Sequence, residues 1–108
     1  MTDKEYLELA AKAAGIEIQG WDGEHAVISD PYTRLWNPLT DDGDALRLAV
    51  KLKLNIEQWE KESNVYVGLR AGLYSNEHYL DDPYAATRRA IVGAAAEMGK
   101  EVGDVNPM

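Results

Sequence analysis

Hydrophobic and polar positions alternate along this chain with two different periods. After Tyr6, the apolar residues Leu9, Ala10, Ala13 and Ala14 recur at three- and four-residue spacing, which lines them along one stripe of a helix. Thr2-Asp3-Lys4-Glu5 just before them forms a capping box: the Thr2 hydroxyl accepts the Glu5 amide, and the Glu5 carboxylate accepts the amide of the cap. Gly15 supplies the left-handed residue that ends the turn. The pattern predicts a helix over Asp3 to Ala14. A second helical stripe, Leu46, Ala49, Val50 and Leu52, follows Thr40-Asp41-Asp42-Gly43-Asp44. Its carboxylates suit a helix N-terminus, with the cap at Thr40 or Asp41 and the helix over Asp42 to Lys53. The third, Ala-rich stripe runs through Ile91, Ala94, Ala95 and Met98. It opens at Asp82-Pro83, a carboxylate cap followed by proline at the first helical position, and should end near Gly99 or Gly103.

Between these blocks the period shortens to two. His25-Ala26-Val27-Ile28-Ser29 reads as a short strand between the Trp21-Asp22-Gly23 turn and Asp30-Pro31. Residues 16 to 21 fit no single template, and Leu35-Trp36-Asn37-Pro38-Leu39 reads as a loop, because proline pushes Asn37 towards an extended conformation. Leu54 to Lys61 and Val65 to Tyr74 read as a hairpin turning at Glu62-Ser63-Asn64. In its second arm Val65, Val67, Leu69, Ala71 and Leu73 alternate with Tyr66, Gly68, Arg70, Gly72 and Tyr74, so the two sets occupy opposite faces. The order is α-β-α-β-β-α. The expected fold is α+β: an α-β-α sandwich with a mainly antiparallel sheet of three or four strands and helices on both faces. It forms a single domain over residues 1–103, followed by a polar tail, 104–108.

Length and composition fit that expectation. A chain of 108 residues buries about 65% of its unfolded surface, enough for one core. With no cysteine, disulfides, thiolate metal sites and cysteine nucleophiles are excluded. The charged start is unlike a signal peptide and the stretch from Ala90 to Ala96 is too short to cross a bilayer, so a cytoplasmic protein without membrane contact is expected. A net charge of −8 disfavours direct nucleic-acid binding, which needs clustered Lys and Arg. The basic residues are interleaved with the acidic ones, which argues against a continuous carboxylate surface of the DNA-mimic kind.

The segments Trp36-Asn37-Pro38-Leu39-Thr40-Asp41-Asp42-Gly43-Asp44-Ala45-Leu46 and Asp82-Pro83-Tyr84-Ala85-Ala86-Thr87-Arg88-Arg89-Ala90 resemble the phage ABA-sandwich family, small proteins of bacteriophages and prophages. The resemblance extends from Leu7 to about Lys100 and is weakest over the middle hairpin. It implies a helix-sheet-helix sandwich and brings no catalytic residue with it. It also places the chain among small phage proteins that often serve as accessory factors, and several unrelated small phage folds sequester the cyclic nucleotides that bacterial defence systems use as signals. Function still has to be argued from a site.

Four constellations can carry chemistry. Asp41, Asp42, Asp44, Asp81 and Asp82 can hold a hard cation if the two helix starts meet, or can simply cap those helices. The histidines, His25 and His78, match no ligand or nucleophile pattern; no phosphate-binding glycine loop or nucleophile elbow is present, and no cofactor is called for. The face carrying Tyr66, Arg70 and Tyr74 offers two rings beside a guanidinium, suited to stacking a base and pairing a phosphate. Alternatively, Gly68 and Gly72 on that face form a groove that receives Ala90, Ala94 and Ala95 of the last helix. Arg34 and one of the pair Arg88-Arg89 can join Arg70 at an anionic pocket or remain solvated. Trp36 can border a ligand or close the core beneath its loop.

The leading expectation is a non-enzymatic accessory protein that acts as a homo-oligomer and sequesters a small anionic, nucleotide-type defence signal. Its ligand-binding residues would be Tyr66, Arg70, Tyr74, Arg88, Arg34 and Trp36. The alternatives are a module that binds a host or phage protein without a small-molecule ligand, and a metal-dependent nucleotide hydrolase built on the Asp-rich helix starts.

Overall fold

The computed structural model describes residues 1–68, 74–79 and 82–104. The local signals at the N-terminus act as the sequence dictates. Thr2 caps α1 (Asp3–Ala14) with both hydrogen bonds of the capping box in place, and Gly15 closes the helix at φ 71°. Those bonds hold the Glu5 carboxyl below its ordinary pKa, the Thr2 backbone amide contributing most. The inward face of α1 carries Leu7, Ala10, Ala11 and Ala14, all buried.

A three-stranded antiparallel sheet follows: β1 (Ile18–Asp22), β2 (His25–Ser29) and β3 (Thr33–Trp36), in that spatial order. Only β2 was expected. The ambiguous stretch before Trp21 forms β1, whose register slips between Ile18 and Gly20. The expected loop is strand as far as Trp36 and becomes loop only at Asn37, where the following proline takes effect. Ala26 pairs with Trp36 and Ile28 with Arg34. Ala26, Ile28 and Trp36 thereby share one face, and all three lie in the core.

α2 (Asp42–Leu52) starts from Asp41, the second of the two expected caps, and stops at Lys53, which takes the left-handed conformation at φ 57°. A second three-stranded antiparallel sheet is built from β4 (Asn55–Trp59), β5 (Asn64–Gly68) and β6 (Tyr74–His78). Here the expected single strand from Val65 to Tyr74 is corrected. Gly68 pairs antiparallel with Tyr74, so the chain reverses between them. Period-two alternation carries no information about where a strand turns back, which is how two arms of a hairpin read as one. Arg70 lies outside the described residues.

α3 (Pro83–Asp104) begins as expected, with Asp82 accepting the amides of Tyr84 and Ala85, both at 3.0 Å. It runs through Gly99 to Asp104; the rest of the expected tail, 105–108, lies outside the described residues. α3 packs against α1, α2 and the inner face of the second sheet, where Val65 and Val67 are fully buried. Two glycines set its approach. A Cβ at Gly99 would overlap the Leu9 carbonyl of α1, and one at Gly93 would overlap the Ser75 hydroxyl of β6. The helix therefore lies on the Val65, Val67 and Ser75 side of the sheet, and Gly68 is not its groove. The class is α+β, a small sandwich of three helices and two antiparallel sheets among the described residues. No helix among them is long and apolar enough to cross a membrane.

Candidate functional site

Asp44 organises the seam between the first sheet and α2. It is the third residue of the helix, and the Asp41 cap accepts its amide at 2.8 Å. Its side chain turns inward and is only 6% exposed. One carboxylate oxygen accepts the Asn37 amide at 3.0 Å; the other accepts Arg34 at 2.9 Å and Arg47 at 2.8 Å. Burial alone would raise the pKa of this carboxyl, but the hydrogen bonds from Asn37, Arg47 and Arg34 outweigh it and hold the group below its ordinary value. The same contact raises the Arg47 pKa, so the pair stays fully ionised.

Two guanidiniums therefore meet one carboxylate. Arg34 is further fixed through Nε, which donates to the Asp30 carbonyl at 2.8 Å. Beside them opens a cleft of about 360 Å³. Arg34, Arg47 and Lys51 line it with Asp30, Pro31 and Tyr32, over a floor of Ile16, Trp36 and Leu48. Lys51 lies 3.9 Å from the Asp30 carboxylate. With Asp44 and Asp41 included, the latter 4.0 Å from Arg47, three positive groups face three negative ones, a balanced cluster in a protein whose total is −8.

Of the six ligand residues expected from sequence, Arg34 and Trp36 meet at this cleft, because alternate residues of β3 share a face. Trp36 is 2% exposed and lies under the cleft as core, the blander of its two readings. Arg88 is elsewhere. Its Nε donates to the Leu39 carbonyl at 2.8 Å and its Nη1 to Asp42 at 2.6 Å, tying α3 to the entrance of α2. Tyr66 lies on the second sheet, in a separate cleft with Glu57, Trp59 and Asn76. Tyr74 belongs to β6, where it pairs with Gly68, two residues along β5 from Tyr66, so the residues expected on one strand are divided between two; Arg70 falls outside the described residues.

Arg47, Lys51 and Tyr32 were missed. Arg47 and Lys51 stand four residues apart, the spacing that brings two cations onto one side of a helix, and that signal was available. The contribution of Tyr32 was not, because it depends on the third strand. The Asp-rich set is engaged with the protein itself: Asp41 and Asp82 cap helices, Asp42 pairs with Arg88 and Asp44 with Arg34 and Arg47, while Asp81 lies outside the described residues. Among the described residues no three His, Asp or Glu side chains gather as a metal site. No family model matches this chain, and neither does any curated protein or solved structure.

Proposed function

We propose that this protein is a non-enzymatic binding protein whose ligand is a small anion of nucleotide type, held in the cleft between β3 and α2. The observation that supports this is the convergence of Arg34, Arg47 and Lys51 on one concave site in an acidic chain. A protein of this net charge repels anions at long range, so two guanidiniums and an ammonium gathered beside one concave surface mark where an anion would find charged donors. Arg34 and Arg47 are held in place by Asp44 before any ligand arrives, which reduces the ordering cost of binding. Tyr32 is 67% exposed at the rim and offers a ring to stack on a base.

Size narrows the class. Small-molecule sites occupy roughly 300–1,000 Å³, and this cleft sits at the low end, which suits one nucleotide unit. A cyclic dinucleotide would need two such clefts, and a homo-oligomer would bring them together. The resemblance to phage proteins extends the reading to a cytoplasmic sponge for a host defence signal.

Calorimetry against nucleoside phosphates, cyclic dinucleotides and cyclic ADP-ribose isomers tests it. Arg47→Gln, at an exposed side chain, should weaken binding by about tenfold or more, since a charge-assisted hydrogen bond contributes about 1.5–3 kcal/mol. Folded protein that gives no heat with any of these anions would remove the proposal. A second reading, a protein-interaction module, draws support from Leu46 and Val50, which stand one turn apart on α2 and are 61% and 67% exposed. It predicts a stoichiometric protein partner whose binding is lost in Leu46→Asp and unaffected by Arg47→Gln.

A further inference from the structure

The outer face of the second sheet carries a cleft of opposite chemistry. Antiparallel pairing sets Glu57 opposite Tyr66, and Tyr66 opposite Asn76. Two residues further along β4, on the same face, stands Trp59, diagonal to Tyr66. The Trp59 and Tyr66 rings have centroids 5.2 Å apart and planes inclined at 56°. Together with Glu57 and Asn76 they line a cleft of about 340 Å³. α3 covers the other side of the sheet, so it does not seal this one.

The polar groups here are acidic or neutral. The Trp59 indole N–H donates to Glu57 Oε1 at 3.1 Å, which ties the carboxylate to the aromatic wall of the cleft; the other carboxylate oxygen has no hydrogen bond among the described residues. Glu57 makes no ion pair among the described residues. The Asn64 side-chain amide donates to the Tyr66 hydroxyl at 3.4 Å. Its carbonyl oxygen is buried with no partner among the described residues.

Each ligand class can be weighed against this arrangement. An anion would meet Glu57. A hard metal ion would find one carboxylate where it needs several oxygen ligands. A flat sugar ring or base needs a platform, and the two rings are inclined to each other. A compact organic cation needs aromatic rings within about 6 Å and a carboxylate nearby, and two rings and one carboxylate line this cleft.

We propose that the Trp59, Tyr66 and Glu57 cleft binds a quaternary or methylated ammonium group. The two rings supply the π-faces and Glu57 the counter-charge; Asn76 bounds the site. Such a group shares its chemistry between free choline-like molecules, methylated lysine side chains and choline lipid headgroups. The site shares no residue with the arginine-lined cleft, so the two readings stand or fall separately.

The test is to titrate the full chain with tetramethylammonium and with choline while following the Trp59 indole N–H by NMR. The neutral isostere 3,3-dimethylbutanol serves as control. Expected are saturable shifts of that signal with both cations and none with the isostere. Glu57→Gln should weaken binding at least fivefold, Tyr66→Phe, which keeps the ring, should stay within about twofold of wild type, and Trp59→Leu, followed through the Tyr66 backbone amide because the indole is gone, should abolish it. A trimethyl-lysine peptide and phosphatidylcholine vesicles then separate the sources of the group. Equal binding of the neutral isostere, or an unmoved indole signal with all cations in a folded protein, would overturn the proposal.

Discussion

The two sheets of this molecule hold their side chains in different ways. At the first, the walls of the cleft are fixed by one buried carboxylate, Asp44, which is bonded to a backbone amide and to two guanidiniums. At the second, the cleft walls stand on strands whose pairing is backbone work. Trp59 is 46% exposed on β4, a strand exposed along its whole length. A feature set by buried charge should be brittle, and one set by strand register should tolerate side-chain loss.

The largest expected effect follows from Asp44→Asn. Removing one partner of a buried ion pair leaves the other desolvated and unpaired, so Arg34 should cost the fold about 3 kcal/mol in urea unfolding. In the variant that remains folded, the Trp59 indole signal should not move; if it does, the two clefts are coupled and the contrast fails. Acid probes the same network without mutation. Because the folded-state pKa of Asp44 is depressed below the ordinary 3.8, its stabilisation is fully present above that value and is lost as pH falls through the depressed one. The stability gap between wild type and Asp44→Asn should therefore shrink below about pH 3.8, and a gap constant from pH 6 to pH 2 would show that ionisation is not what matters.

The glycines of α3 give the next effect. Gly99→Ala would drive a Cβ into the Leu9 backbone, which cannot step aside, and should destabilise by about 2 kcal/mol despite the better helix propensity of alanine. Gly93→Ala meets only the Ser75 side chain, which can rotate, so its net effect should stay within about 1 kcal/mol. Paired thermal melts check the order. The smallest effect belongs to Trp59→Ala, expected to cost less than about 1 kcal/mol because nearly half of the ring is already in water. A larger loss would mean that the second sheet, too, depends on a side-chain anchor.

These contrasts bear on what the chain reveals before it folds. The helices were legible because their ends are written locally: Thr2 with Glu5, Asp41 with Asp44, Asp82 before Pro83. Three strands were not. β1 contains a glycine and a slip in register, β3 lies in a stretch read as loop because of its prolines, and β6 continues the alternation of β5 as though no turn intervened. Half of the first cleft was visible in Arg34 and Trp36. Its other half, Arg47 and Lys51, sits on a helix whose side towards β3 becomes meaningful only once that strand exists. Trp59 went unremarked for the same reason: its partner Tyr66 is seven residues away, and only hairpin pairing brings them together.

α3 adds a constraint on timing. The elements it packs against most, α1, α2, β5 and β6, precede it in the chain, and its most intimate contact is with the first helix. A growing polypeptide emerging from the ribosome thus carries α1 and the inner side of the second sheet uncovered until the residues near 100 are released. Assembly of the interior is a late event in synthesis, and a nascent chain stalled before that point would present its alanine- and valine-lined surfaces to chaperones.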